Sequence, residues 1–427
     1  MSRLRNVLVT GATVLAVSGG LLTAGALGGS PAARPEAAAP PQLSPIEKAQ
    51  QHLQANPGDA AGWAGLGVSY VGQARVTGDP SWYTKAEGAV AKSLALDSRN
   101  NFRGYAGLAA LENAKHDFRG AERAARKGLA INSYSSILYG ALADALTQLG
   151  RYDEAAAAVD RMNQLLPGVP AFTRASYALE LRGDVAGARA ALQRALDDAA
   201  SGPDRAFAHY YLGELALHDG GDATAALAQY QAGLEASPDD AVVRAGRAKA
   251  EAALGMTDAA LADYRASVAA RPEPQTVLEL AQLLESLGDP TARAQYDLFR
   301  VQEKLYAASG VALDTEATLF EADHGTPAAA LAAAAAGWRS RPFVEMADAY
   351  AWALHVNGRD AEALSWSQKA FASGWRPALA LYHRGIIERS LGRVAAARAD
   401  LRAALAKDPF FDRLGAAKAR AALASLH

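Results

Sequence analysis

The residues whose types could carry chemistry are eight histidines and two acidic pairs. The histidines are His52, His116, His209, His218, His324, His355, His383 and His427; the pairs are Asp197-Asp198 and Asp239-Asp240. A helical zinc site sets two histidines four residues apart on one face. No two of these histidines have that spacing, so each reads as a partly exposed helix residue. The acidic pairs fall where helices end or begin, and there carboxylates favour the positive end of the following helix dipole. Cysteine is absent, which removes thiolate nucleophiles, disulfides, Cys-ligated zinc and a lipoprotein-type anchor. Gly88-Ala89-Val90-Ala91-Lys92-Ser93 falls short of a phosphate loop, because alanine stands for the second glycine and the segment reads as mid-helix. Ser69 is followed by Tyr70 and Val71, so there is no nucleophile elbow. No catalytic, metal or cofactor site is expected, and the chain reads as non-enzymatic. With 43 basic against 45 acidic residues it lacks the basic excess of a nucleic-acid binder.

The elements that would position any site are helices. Beyond residue 45, alanine, leucine, glutamate and arginine dominate and β-branched runs are missing. Gly150, Gly183, Gly221, Gly255, Gly288, Gly358 and Gly392 are placed to end helices in the left-handed conformation. Pro167, Pro238, Pro272, Pro342 and Pro409 mark the other joint. Small alanines recur at Ala86, Ala121, Ala155, Ala188, Ala226, Ala260, Ala294, Ala330, Ala363 and Ala397, 33 to 38 residues apart. Trp63-Ala64-Gly65-Leu66-Gly67-Val68-Ser69-Tyr70 opens the series. Ala226, Tyr230 and Pro238, then Ala260, Tyr264 and Pro272, repeat its closing half.

These residues carry a resemblance to the tetratricopeptide repeat family over about residues 59–411, with ten units in phase. The resemblance implies an all-α solenoid, a right-handed superhelix of antiparallel helix pairs. Its first helices would line a concave groove that holds peptides or partner helices. A single pair cannot close a core, whereas a stack can. Small residues at Gly67, Ala143, Ser176, Gly213, Ala248, Ala351 and Gly385 allow close helix crossings. Thr77-Gly78-Asp79-Pro80 belongs to a first repeat with longer helices, Asp79 and Pro80 starting the second. Residues 295–324 lack a clean turn, and the helix after Ala294 is expected to run to Ser309.

The ends divide the chain further. Arg3 and Arg5 precede an apolar stretch at residues 7–27 with Ala24-Gly25-Ala26 near its end, so residues 1–27 read as a signal peptide or a membrane anchor. Residues 28–45, rich in proline and alanine, read as a tether. Residues 46–58 and 412–427 read as capping helices. The expected location is extracytoplasmic, secreted or anchored, with membrane contact only through the N-terminal segment.

The groove face follows from spacing. Positions three before, one after and four after the small residue of each first helix share a stripe. That stripe holds the aromatics Tyr177, Tyr210, Trp352 and Tyr382. It also holds the acids Asp144, Glu180, Glu214, Glu279 and Asp348, the bases Lys249 and Arg389, and His355. The acidic excess favours a basic or amphipathic protein or peptide partner. Family members that clamp C-terminal carboxylates do so with Lys and Asn; here the matching positions are Ala64, Val68, Ala106 and Ala110, so that mode is not implied. The expected function is a non-enzymatic interaction scaffold in cell-envelope assembly, or else an accessory subunit of an envelope enzyme.

Overall fold

The computed structural model describes residues 43–426, and among them the chain forms 22 α-helices and no strand. Helix α1 (Pro45–Ala55) leads. Five antiparallel pairs follow: α2 (Ala60–Thr77) with α3 (Trp82–Leu96), α4 (Phe102–Ala114) with α5 (Phe118–Ile131), α6 (Ser136–Gln148) with α7 (Tyr152–Leu165), α8 (Val169–Glu180) with α9 (Val185–Asp197), and α10 (Gly202–His218) with α11 (Ala223–Ala236). Five more complete the stack: α12 (Ala241–Ala253) with α13 (Thr257–Ala270), α14 (Pro274–Ser286) with α15 (Ala292–Ala308), α16 (Asp314–His324) with α17 (Pro327–Ser340), α18 (Val344–Val356) with α19 (Asp360–Ala370), and α20 (Ala378–Ser390) with α21 (Val394–Lys407). Helix α22 (Arg413–Ser425) closes the series. Residues 1–42, where the signal peptide or anchor and most of the tether are expected, and His427 lie outside the described residues. No helix among those described is long and apolar enough to cross a membrane.

Local chemistry sets the helix ends. Gly183-Asp184 and Gly221-Asp222 each do two jobs in one short turn. The glycine takes a positive φ of 79° or 61°, and the aspartate accepts the amide three residues on, capping the next helix. All seven turn glycines singled out by sequence have positive φ. In the first repeat α2 is the long helix, at 18 residues, but α3 starts at Trp82 rather than at Asp79-Pro80. Asp79 instead accepts the Ser81 amide at 2.9 Å within the turn.

Nine of the ten phase alanines are buried, at 2 % exposure or less. The tenth, Ala294, is exposed; Ala292 is buried in its place. Ala292 stands four residues before Tyr296, as Ala226 and Ala260 stand before Tyr230 and Tyr264, so the seventh repeat is shifted by two residues. Helix α15 then runs on to Ala308, and Gly310, at φ 74°, makes the turn that the sequence does not advertise.

First and second helices bury different amounts of themselves. Helix α13 buries one stripe, Ala260, Asp263, Tyr264 and Ser267. Helix α14 is buried all round from Pro274 to Leu284 except at Gln282. A helix buried on every face lies inside the molecule. The reason is that the superhelix closes on itself. The turn inside each of the first five pairs meets the link that follows the pair five further along. Gly78 faces Arg271. His116 Nδ1 lies 2.8 Å from the Ala312 carbonyl. Arg341 Nε donates to Gln148 at 2.6 Å, and the Val344 amide donates to the Tyr152 hydroxyl at 2.9 Å. Gly183 abuts Gly374, and Gly221 abuts Lys407 and Pro409. In these three hydrogen bonds the partners stand 192 to 196 residues apart, between five and six repeats of about 34.

Candidate functional site

Closure changes what the inner stripe is. Ten of its twelve residues are buried: Asp144, Tyr177, Glu180, Tyr210, Glu214, Lys249, Glu279, Asp348, Trp352 and Tyr382. His355 is half-buried, and Arg389, in the last turn of α20, is exposed. The stripe faces the superhelix axis, but its side chains meet one another there instead of facing an open trough.

The charges are arranged in pairs between neighbouring first helices. Arg174 on α8 grips Asp144 on α6 through two bonds, Nε and an Nη each at 2.8 Å, and both side chains are almost fully buried. Bidentate geometry of this kind is the strong form of the interaction. Lys249 on α12 bridges Glu214 on α10, at 3.1 Å, and Glu279 on α14, at 3.6 Å. The Tyr230 hydroxyl donates to Glu214 at 2.5 Å. The Tyr264 hydroxyl donates to Glu279 at 3.3 Å. Burial first, and then the charge of Glu279, holds that phenol protonated well above its usual range. His383 on α20 meets Asp348 on α18 at 2.9 Å. His218 lies 2.7 Å from Asp408, across the superhelical turn, and 3.6 Å from Glu214. His218 and His383 are thus buried, and His116 sits in a turn at φ 63°; the expectation of partly exposed helix histidines fails for all three.

The aromatics are packed as core. Trp352 stacks on His383 with centroids 4.3 Å apart, contacts Tyr382 at 5.8 Å, and donates its indole N–H to Asp323 at 2.8 Å. Tyr210 packs on Tyr211 and Tyr230. Tyr210→Ala or Trp352→Ala would therefore weaken the fold itself, because cutting away a buried aromatic ring costs about 3–5 kcal/mol.

Spacing missed the partners of two acids. Arg174 and His383 both stand two residues before the small residue of their helix, Ser176 or Gly385. That position turns toward the preceding first helix, and adding it to the stripe would have exposed the pairing. Among the described residues no group of three His, Asp or Glu side chains is placed to hold a metal ion.

A cavity of about 420 Å³ opens beside this network. Arg75 and Val76, at the end of α2, form one wall. The beginnings of α8, α10 and α12 form the other, and Arg271 lies at its edge.

Residues 172–241 match the family model described as tetratricopeptide repeat. Among curated proteins none matches the chain. Among solved structures, a tetratricopeptide repeat protein from Parabacteroides merdae is 19 % identical over 60 % of this chain and 99 % of its own, with a TM-score of 0.34. The APC/C hetero-tetramer Cut9-Hcn1 is 15 % identical over 88 % and 75 %, with a TM-score of 0.48. YrrB, described as a TPR protein with an unusual peptide-binding site, is 19 % identical over 44 % and 98 %, with a TM-score of 0.30.

Proposed function

We propose that this chain, a tetratricopeptide-repeat protein folded as an α-solenoid, is a non-catalytic scaffold that binds a protein or peptide partner outside the cytoplasm. The observation that carries the reading is the engagement of the interior charges with one another. Asp144 with Arg174, Lys249 with Glu214 and Glu279, and Asp348 with His383 hold helices together. Groups so paired serve architecture, and what such a stack offers other molecules is surface. The acidic excess of the stripe is partly answered from within, and the stripe residues that stay at least partly accessible are His355 and Arg389, so a partner segment would begin there. Threading deeper would require the superhelix to open. The extracytoplasmic location rests on the basic start and apolar run of residues 1–27.

The test is affinity capture from an envelope fraction with wild-type chain and with a His355→Ala, Arg389→Glu double variant. A specific co-purifying protein, depleted in the variant, is the expected result. Equal recovery by both would remove the stripe from the binding surface. Intact chain in the cytosolic fraction, unprocessed near residue 26, would remove the location.

A further inference from the structure

Arg75 differs from the other cations of the interior. Among the described residues its guanidinium makes no hydrogen bond or ion pair, although it lines the 420 Å³ cavity. Burial, and then the nearby charge of Arg271, pushes it below its usual range. Arg271 itself is answered by Glu273 at 2.6 Å. Arg75 is half-buried, and because a guanidinium does not shed its proton in a protein, one that is partly desolvated and lacks a partner gains from an anion that meets it.

We propose that this cavity binds a small amphiphile consisting of an apolar chain and one carboxylate, with Arg75 taking the carboxylate. The wall is suited to the chain. Val76 and Leu166, 64 % and 55 % exposed, are among the few large apolar side chains left open, and both line this cavity with Pro170, Phe207 and Val242. Covering them removes apolar surface from water. The head can carry no more than the one charge that Arg75 answers. Asp198, Asp204 and Asp240 share the cavity and would repel a dianion. Asp204 is occupied by the Ser201 hydroxyl at 2.6 Å, and Asp240 caps α12, so neither is available to neutralise Arg75. The third acid, Asp198, lies against Gly168 at the uncapped start of α8, where the helix field already answers it. The volume lies within the range of small-ligand sites, roughly 300–1,000 Å³. This site is independent of the protein-binding scaffold reading.

Decanoate titrated calorimetrically into the full chain tests the assignment, with decanol, decylammonium and an apolar hexapeptide with a free C-terminus as comparisons. Decanoate is expected to saturate one site. Arg75→Gln should weaken it about tenfold or more, the size of a lost charge-assisted hydrogen bond. Leu166→Asp should weaken it as well, and decanol and decylammonium should bind far less tightly. Arg75→Gln should melt no lower than wild type, because the side chain has no partner within the protein to lose. Unsaturable binding, decanol equal to decanoate, or unchanged affinity in Arg75→Gln would overturn the proposal. A hexapeptide binding more tightly than decanoate would overturn the small-molecule assignment and give the cavity to a peptide terminus.

Discussion

His116 holds a backbone conformation that non-glycine residues seldom adopt, and its ring explains why it is kept there. The imidazole reaches the Ala312 carbonyl across a full superhelical turn, where burial first and then the charge of Arg341 push its pKa down to about 3. The folded state therefore keeps this imidazole neutral, while the unfolded chain protonates near the ordinary value of 6.5. Its contribution to stability is complete above pH 6.5 and is lost as pH falls from there toward 3. His116→Asn, which tolerates a positive φ, should flatten the fall in melting temperature between pH 7 and pH 5; thermal melts of both proteins across that interval check it. The Asp144–Arg174 pair makes a different prediction. Arg174→Met alone strands a buried carboxylate and should cost about 3–5 kcal/mol, whereas adding Asp144→Leu should restore part of the loss. Urea denaturation of the two single variants and the double measures this directly. The stripe of charges at 144, 214, 249, 279 and 348 was legible from spacing alone. That they would answer one another was not, because the pairing depends on how far each helix pair rotates relative to the last. That rotation is a small angle set by packing, and its one trace in the sequence is the position two before the small residue, where Arg174 and His383 stand.

At the scale of the helix pair, the sequence was most readable where one residue type has one physical use. Left-handed glycines and buried alanines announced the turns and the crossings. They failed at Ala292 and Ala294, two alanines flanking Arg293, where only the distance to Tyr296 tells which one faces inward. What a turn touches is less legible than where it lies. Gly150 and Gly255 have nearly the same φ, 71° and 77°, and the same role in their repeats. A Cβ on Gly255 would meet nothing within 4 Å, while one on Gly150 would run into the Pro342 carbonyl of the next superhelical turn. Alanine at either position pays the left-handed penalty of roughly 1–2 kcal/mol. Gly150→Ala should cost more than Gly255→Ala, and the difference in denaturation free energy isolates the contact between turns. Equal costs would mean that the turns are not held together there.

For the molecule as a whole, Arg341 is one of the ties between the two superhelical turns, beside His116, Tyr152 and His218. It is 1 % exposed, donates to Gln148, and stands over the rings of Phe118 and Phe343 at 5.5 and 4.2 Å. Arg341→Ala should separate one thermal transition into two and raise the radius of gyration in small-angle scattering, without loss of helix content by circular dichroism. A single transition and an unchanged radius would show that the turns hold without it. Closure was the least legible property, since it sums ten small rotations and any local pattern is compatible with an open trough. It also limits how such a chain can change in length. Open arrays of repeats can gain or lose a unit by duplication or deletion of its coding segment and remain serviceable. Here one unit added between Asp222 and Arg271 would send every later link past its mate by a whole repeat, presenting Arg341 to the wrong turn and carrying Asp408 past His218. The number of units between mates is therefore fixed as firmly as a residue in a core, and viable length variation should be confined to the two ends.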